Sequence, residues 1–170
     1  MSSTSTSIEQ PASSAAVVTA SRGGKYLAFA LGSEHYGIEI LKVREIIGHL
    51  NITRVPGLPA HVSGVINLRG QVISVLDLRS RLGLEPAPRT EQTCIVVVET
   101  RRRNGNGNKV IKMGLIVDRV LEVLNIPEPQ ITDSPEFGSG VDRTFLLGMG
   151  RIGDSVKILL DTDAILGNVA

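Results

Sequence analysis

Residue types that could support catalysis or metal binding are few and scattered in this chain. The three histidines, His35, His49 and His61, lie at the ends of predicted elements with no ligand spacing between them, so surface positions explain them better than a metal site does. The single cysteine, Cys94, lies in an apolar strand pattern without a local cation, as expected of a small core residue and not of a nucleophile. The sequence also has no G-x-S-x-G motif, no P-loop, no H-E-x-x-H motif and no dinucleotide fingerprint at a strand–helix junction. We therefore predict no catalytic residue, no metal site and no cofactor.

Two further groups of charges have structural explanations. Asp161 and Asp163 are spaced like an acidic dyad, yet Asp161 follows a predicted strand where a carboxylate can cap a short helix, and we interpret both as structural. The run Arg101–Arg103 could contact phosphate, but no aromatic residue is interleaved to stack on bases. A solvated hairpin tip is the simpler interpretation of this run.

A hairpin followed by a capped helix is the clearest structural signal. Two apolar runs, Val62–Leu68 and Val72–Leu76, are separated by the turn Arg69-Gly70-Gln71, as in two strands joined by a short glycine-containing loop. Asp77 can then accept hydrogen bonds from the first turn of a helix, and Gly83 can adopt the left-handed conformation that ends it. The pattern places Arg69 at the hairpin tip, where packing does not require a charge.

The same pattern occurs twice along the chain. Residues 148–167 match residues 64–83 at a shift of 84, and residues 114–124 match residues 37–47 at a shift of 77. Each half therefore consists of the same succession of strands, turns and one capped helix. We interpret the chain as two copies of one small β unit.

Each copy is predicted to close into a small barrel, because five short strands with alternating apolar positions leave no exposed edge once closed. The first barrel unit is expected at about residues 25–84 and the second at about residues 93–167, joined by a proline-containing connector. The predicted fold is all-β, with two five-stranded barrels in tandem related by a pseudo-twofold and with short capped helices. The predicted strands are Tyr26–Leu31, His35–Ile40, Val43–Gly48, Gly64–Leu68, Val72–Asp77, Cys94–Glu99, Val110–Val117, Val120–Leu124, Phe145–Arg151 and Ser155–Leu160.

Composition supports a globular core and excludes several classes of protein. Hydrophobic residues make up 42% of the 170, with two Tyr, three Phe and no Trp, so a core of branched aliphatic side chains is expected. A net charge of +1 provides no large field for nucleic acid or an anionic membrane. One cysteine allows no internal disulfide and fits a reducing compartment. No apolar run reaches transmembrane length, and the N-terminus lacks the features of a secretory signal.

Three segments are not explained by the repeat. Residues 1–23 are rich in Ser, Thr and Ala and are predicted to form a disordered tail. The polar, glycine-rich loop Arg101–Lys109 is predicted to be a mobile hairpin tip. The irregular segment Pro127–Asp142 carries an isolated aromatic, Phe137, which is either an exposed anchor for a partner or a lid over the end of the second barrel.

The repeat also leaves two charged residues of the first copy to explain. Gly153 occupies the position of Arg69 in the second copy, so the barrel itself needs no arginine there, whereas Glu45 recurs as Glu122. One interpretation is a local ion pair between Glu45 and Arg69, which contributes little if it is exposed. The other is an ion pair that shapes a protein-binding groove, because arginine is favoured at interfaces.

Several segments together resemble the chemotaxis coupling protein family, CheW. They follow one another between Lys25 and Gly167 as YLAFALGSEHYG, IEILKVREI, GVINLRGQVISVLDLR, IVDRVLEVL and LLGMGRIGDSVKILLD. The Asn-Leu-Arg-Gly turn, followed by an apolar strand and Asp-Leu-Arg, is highly specific for this family. The resemblance implies two SH3-like β-barrels at residues 24–170 in a non-catalytic cytoplasmic adaptor. This adaptor would bridge the cytoplasmic tips of chemoreceptors to the regulatory domain of the histidine kinase CheA in membrane receptor arrays, without entering the membrane itself.

The resemblance also implies which residues contact each partner. A receptor-binding groove between the barrels would use Val43, Glu45, Gly64, Arg69 and Val120. Kinase binding would use the second barrel, where Phe137 matches an aromatic of the family. Thr132 stands where the family often has Arg, which leaves that second kinase contact open.

A small-barrel nucleic-acid-binding protein is the alternative from another class. Such a protein needs a basic face with aromatic side chains on it. The net charge of +1 and the low aromatic content argue against this alternative.

Overall fold

Strands dominate the computed structural model, which describes residues 22–48, 51–104, 107–133 and 142–167. Within these described residues, two short α-helices and three 3-10 helices (Ile40–Lys42, Glu128–Gln130 and Arg143–Phe145) connect the strands. The α-helices are α1 (Leu78–Arg81) and α2 (Thr162–Leu166). The strands are β1 (Gly24–Leu31), β2 (Glu34–Glu39), β3 (Val43–Ile47), β4 (Val62–Leu68), β5 (Gln71–Asp77), β6 (Cys94–Asn104), β7 (Gly107–Val117), β8 (Arg119–Ile126), β9 (Ile131–Thr132), β10 (Leu146–Ile152) and β11 (Ser155–Leu160).

The strands form two sheets, which confirms the predicted all-β fold with two SH3-like barrels. One sheet, which forms the first barrel, has the order β3-β6-β7-β5-β4, and the other, which forms the second barrel, has the order β8-β1-β2-β11-β10-β9. All ten predicted strands are present. The additional strand, β9, has only two residues, which is too short for an alternating pattern to indicate it.

Each barrel takes strands from both copies of the repeat. β1 and β2 pair with β8 and β11, while β6 and β7 pair with β3 and β5. The boundaries 25–84 and 93–167 therefore delimit the two sequence copies and not the two barrels, which corrects the predicted barrel units. The physical reason is that equivalent strands carry the same apolar alternation, so the pattern does not specify which copy a strand pairs with.

The pairing register supports the pseudo-twofold. β2 runs parallel to β11 with Gly37 opposite Leu159, and β5 runs parallel to β7 with Val75 opposite Gly114. The shift of 77 residues relates Gly37 to Gly114, and the shift of 84 residues relates Val75 to Leu159, so the two pairs are equivalent. The same cross-strand contact thus occurs in both barrels, with the roles of the first and second sequence copies exchanged.

The main apolar cluster lies between the barrels and joins them. It includes Leu27 and Phe29 of β1, Val98 of β6 and Leu76 of β5, all almost fully buried. Two smaller clusters fill the barrels themselves, one around Ile66 and the other around Tyr26 and Ile126. A strand such as β1 is consequently buried on both faces, because one face lines a barrel and the other lines the shared core.

The helices begin at the predicted caps. The Asp77 carboxylate accepts from the backbone N–H groups of Arg79 (3.1 Å) and Ser80 (3.4 Å), and the Asp161 carboxylate accepts from that of Ala164 (3.3 Å). Gly83 ends α1 in the left-handed region with φ +77°, as predicted. Gly167 at the end of α2 has φ −49°, so the two helices end differently.

An ion pair holds α1 to the opposite barrel. The Arg79 guanidinium donates to both carboxylate oxygens of Asp118 and to the carbonyl of Glu85 (2.7 Å), and the N–H of Gly32 also donates to Asp118 (2.8 Å). The Arg79 hydrogen bonds, followed by the one from Gly32, outweigh partial burial and lower the pKa of Asp118 below its usual range. The network ties the β1–β2 turn, the start of β8 and α1 together.

Two predicted segments need correction, and one predicted site residue lies outside the described part of the chain. The predicted loop Arg101–Lys109 is mostly strand, because the β6–β7 ladder continues through its polar residues to the pair of Asn104 and Gly107. Arg22, assigned to the tail, instead donates to the Leu147 carbonyl (2.9 Å), while residues 1–21 lie outside the described part of the chain. Phe137 also lies outside the described residues.

Candidate protein-binding site

Arg69 and Glu45 form a bidentate ion pair, with two parallel hydrogen bonds, on the surface of the first barrel. The Nη1–Oε1 distance is 2.7 Å and the Nη2–Oε2 distance is 2.8 Å, a parallel arrangement that fixes both side chains. The hydrogen bonds that Arg69 donates to the Glu45 carboxylate raise the pKa of Arg69 above its already high value. The Arg69 side chain is still 74% exposed and that of Glu45 27% exposed, so the pair contributes little to folding and remains accessible to a partner.

The backbone of the β4–β5 turn holds Arg69 in an unusual conformation. Arg69 has φ +52° and Gly70 has φ +82°, which together make a two-residue turn between Leu68 and Gln71. The Asn67 side chain accepts a hydrogen bond from the Gly70 N–H (3.0 Å) and steadies this turn. Arg69 is the only non-glycine residue with positive φ in the described part of the chain.

The equivalent turn of the second barrel shows what the fold alone prefers. Gly153 occupies the position of Arg69 and also has positive φ, +59°. Glycine adopts this conformation without strain, whereas any L side chain there carries a conformational cost. An arginine at residue 69 is therefore explained by its side chain and not by the turn.

Val43 and Val120 occupy equivalent places on either side of the pseudo-twofold. Val43 at the start of β3 pairs with Val98, and Val120 in β8 pairs with Phe29, each beside an irregularity in the ladder. Both valines are half-buried and pack against the shared core. The structure thus brings these two predicted site residues to the same apolar cluster from opposite barrels.

Gly64 has a packing role in the structure. It is buried in β4 with φ +159°, and a Cβ atom there would overlap the carbonyl oxygen of Thr53. Its counterpart Gly148 has φ +156° and would place a Cβ atom 2.7 Å from the carbonyl oxygen of Thr132. The two glycines permit the same close approach of neighbouring backbone in both barrels.

Exposed apolar side chains occur near the ion pair in the sequence, and they were not among the predicted site residues. Ile46, beside Glu45 in β3, is 45% exposed, and Val72, at the start of β5, is 69% exposed. Their counterparts Val123 and Val156 are exposed to a similar degree. The sequence shows only that apolar residues recur at these two positions in both copies, and the structure adds that neither barrel buries them.

The second barrel has an open pocket of about 450 Å³ at the predicted kinase-side residue. Thr132 of β9 is exposed at its edge, and Met149, Arg151 and Val156 from β10 and β11 also line it. The pocket combines apolar side chains with one cation, Arg151, and one anion, Asp133.

These features define a protein-interaction module. An accessible ion pair and exposed apolar side chains stand on a rigid double barrel, and the described residues contain no group of three or more His, Cys, Asp and Glu that could hold a metal. None of the helices in the described part of the chain combines the length and the apolar character needed to span a membrane.

Comparisons with known proteins place this module in a family. The CheW-like domain model matches residues 25–170. The chain is 36% identical to the chemotaxis protein CheW of Klebsiella aerogenes, over 86% of this chain and 83% of that protein, and 37% identical to the probable chemotaxis protein CheW of Rhizobium etli, over 88% and 92%. The crystal structure of the scaffolding protein TtCheW from Thermoanaerobacter tengcongensis aligns with a TM-score of 0.75 at 32% identity, covering 87% of this chain and 96% of that one. The chain belongs to the CheW family, and it is a non-catalytic coupling adaptor of chemotaxis signalling.

Proposed function

We propose that this adaptor binds the cytoplasmic tips of chemoreceptors through a groove between its two barrels, and the regulatory domain of the histidine kinase CheA through its second barrel. The observation that carries the receptor assignment is the strained, exposed Arg69 paired with Glu45. Val43 and Val120 would form the apolar walls of the groove, since both border the shared core. The adaptor would then act in the cytoplasm and be recruited to membrane receptor arrays by these contacts.

Replacing Arg69 with Glu tests the receptor assignment. The variant removes the ion pair and presents a negative charge to the partner, so receptor binding is expected to weaken by roughly tenfold or more, since one lost charge-assisted pair at an interface commonly has that effect. The barrel should remain folded, because the equivalent turn in the second barrel needs no arginine. Binding to receptor-containing membranes and thermal unfolding are the two measurements, with Arg151→Glu in the second barrel as a control of equal charge change.

A charge exchange separates the two interpretations of the pair. The double variant Glu45→Arg with Arg69→Glu can rebuild an ion pair of reversed polarity. If the pair only shapes the surface, the double variant recovers receptor binding; if Arg69 itself contacts the receptor, binding stays weak. Early unfolding of Arg69→Glu would show instead that the residue is structural and would remove it from the site.

Kinase binding is assigned to the pocket beside Thr132 and to Phe137. An aromatic anchor that fills a partner's pocket typically loses about 2 kcal/mol of binding energy when it is truncated. Phe137→Ala is therefore expected to weaken kinase association or ring assembly while receptor binding and the unfolding midpoint stay unchanged. A lower unfolding midpoint with losses toward both partners would identify Phe137 as a lid over the barrel, and no change in either measurement would leave it without a role.

A further inference from the structure

The β6–β7 hairpin is longer than its counterpart in the other barrel. β1 and β2 are joined immediately after the pair of Leu31 and Glu34, whose equivalents are Thr100 and Ile111. Beyond Thr100 and Ile111, β6 and β7 continue as a two-stranded extension formed by residues 101–104 and 107–110. This extension, called here the basic ribbon, has no equivalent in the second barrel.

Both edges of the basic ribbon are free of neighbouring strands in the described sheet. On one side, the pairing of β6 with β3 ends at Val98, and on the other side the pairing of β7 with β5 begins only at Met113. Among the described strands, the ribbon residues pair with each other and with no third strand. An isolated two-stranded ribbon is only marginally stable in water, and its free backbone groups can accept an added strand.

The ribbon is strongly basic. Residues 101–110 contain four Lys and Arg and no Asp or Glu, while the rest of the chain has fourteen Lys and Arg against seventeen Asp and Glu. Arg101 and Lys109 are exposed, and Val110 beside them is half-exposed. Like charges oppose edge-to-edge pairing with a second copy of this chain, so the complementary partner is acidic.

We propose that the basic ribbon binds an extended acidic segment of a partner protein, which adds to one ribbon edge as a further β-strand. Backbone hydrogen bonds to the free edge would provide affinity, and alternating carboxylates on the segment would pair with ribbon cations. This contact is separate from the receptor and kinase contacts proposed above. It uses a part of the first barrel that those assignments leave without a role.

Model peptides with the full-length protein test this proposal. A labelled peptide of alternating Glu and Thr is the probe, and the same peptide with every backbone nitrogen methylated is the matched control, because it has the same charge but no backbone N–H to donate to a strand ladder. We expect the unmodified Glu-Thr peptide to bind, the N-methylated peptide to bind at least roughly tenfold more weakly, and binding to decline as salt rises. Equal binding of both peptides would overturn strand addition.

Two variants locate the binding to the ribbon. Arg101→Glu combined with Lys109→Glu reverses the charge, and replacement of residues 101–110 by Gly-Ser copies the β1–β2 turn between Thr100 and Ile111. Both should lose Glu-Thr peptide binding by roughly tenfold or more, while Arg69→Glu, which tests the proposed receptor contact, should retain it. Unfolding curves establish whether each variant is folded. If the Gly-Ser replacement is not folded, the charge-reversal variant alone is the test.

Other anionic partners are outcomes of the same experiment. Vesicles of phosphatidylcholine with phosphatidylserine and a short DNA duplex are measured beside the peptides. Binding to the vesicles or the duplex without binding to the Glu-Thr peptide would overturn the proposal. Absence of binding to every probe would also overturn it and would leave the basic residues as protection of a free edge against aggregation.

Discussion

At the scale of single residues, the two copies act as controls for each other. Positions that share a physical requirement keep the same residue type, as Asp77 and Asp161 do at the helix caps. Positions that differ, such as Arg69 and Gly153, show which copy carries a feature beyond the fold. The positive φ at residue 69 strengthens this argument, because an arginine there is less favourable for the turn than glycine.

Gly64 illustrates a residue whose predicted role and structural role must be separated by experiment. Gly64→Ala is expected to destabilise the protein by about 2–3 kcal/mol, because its methyl group would overlap the backbone of Thr53. Gly70→Ala is the matched control: Gly70 has φ +82° but open space around it, so only the conformational cost of about 1 kcal/mol applies. Urea unfolding measures both. Near-equal losses would show that the close approach in β4 relaxes easily.

At the scale of elements, the Arg79–Asp118 pair predicts how stability depends on pH. The pKa of Asp118 is lowered in the folded state, so the pair's contribution is fully present above the ordinary aspartate value of about 4 and is lost as pH falls through that value toward the folded one. Arg79→Leu should cost about 2 kcal/mol near pH 7 and progressively less in acid.

The measurement is a series of unfolding curves between neutral pH and strong acid. The carboxyls of Glu128 and Asp142 also have lowered pKa values, and they act in the same direction in both proteins, so the difference between parent and variant isolates Asp118. A difference that does not change with pH would mean that Arg79 stabilises the protein by packing alone.

Elements were predictable from the sequence where local chemistry specifies them. The caps at Asp77 and Asp161, the Arg69 turn and the ten strands follow from side-chain hydrogen bonding and from alternation with a period of two. The extension of β6 to Asn104 did not follow, since Arg and Asn have weak strand preferences and only the register of the hairpin continues the ladder. β9 was missed because its two residues are held by Met149 and Gly150 across the sheet.

The candidate site was predictable only in part, for a related reason. An ion pair between Glu45 and Arg69 could be suggested from residue types, although its bidentate geometry depends on how the β4–β5 turn approaches β3. The exposure of Ile46 and Val72 could not be derived from alternation, which assigns apolar residues to a core. Tertiary geometry decides which apolar positions remain outside.

At the scale of the whole molecule, the exchange of strands makes the two barrels one cooperative structure. β1 and β2 come from the first copy but complete the barrel of β8, β10 and β11, and β6 and β7 do the reverse. The shared core contains residues of both copies, such as Phe29 and Val98. A unit of this kind differs from two domains on a linker, since removal of either sequence copy takes strands from both barrels.

Separate expression of residues 1–88 and 89–170 tests this interdependence. In each half, four strands lose one of the strands that they pair with in the intact protein, and the shared core is exposed. Neither half alone is therefore expected to show a cooperative unfolding transition. An equimolar mixture should recover a cooperative transition and bind the same partners as the intact chain. Circular dichroism during thermal unfolding and sedimentation of each half and of the mixture are the measurements. A single half that unfolds cooperatively as a monomer would show that β1 and β2 can replace β6 and β7 within their own copy, and the exchanged strands would then be a preference of the intact chain and not a requirement for folding.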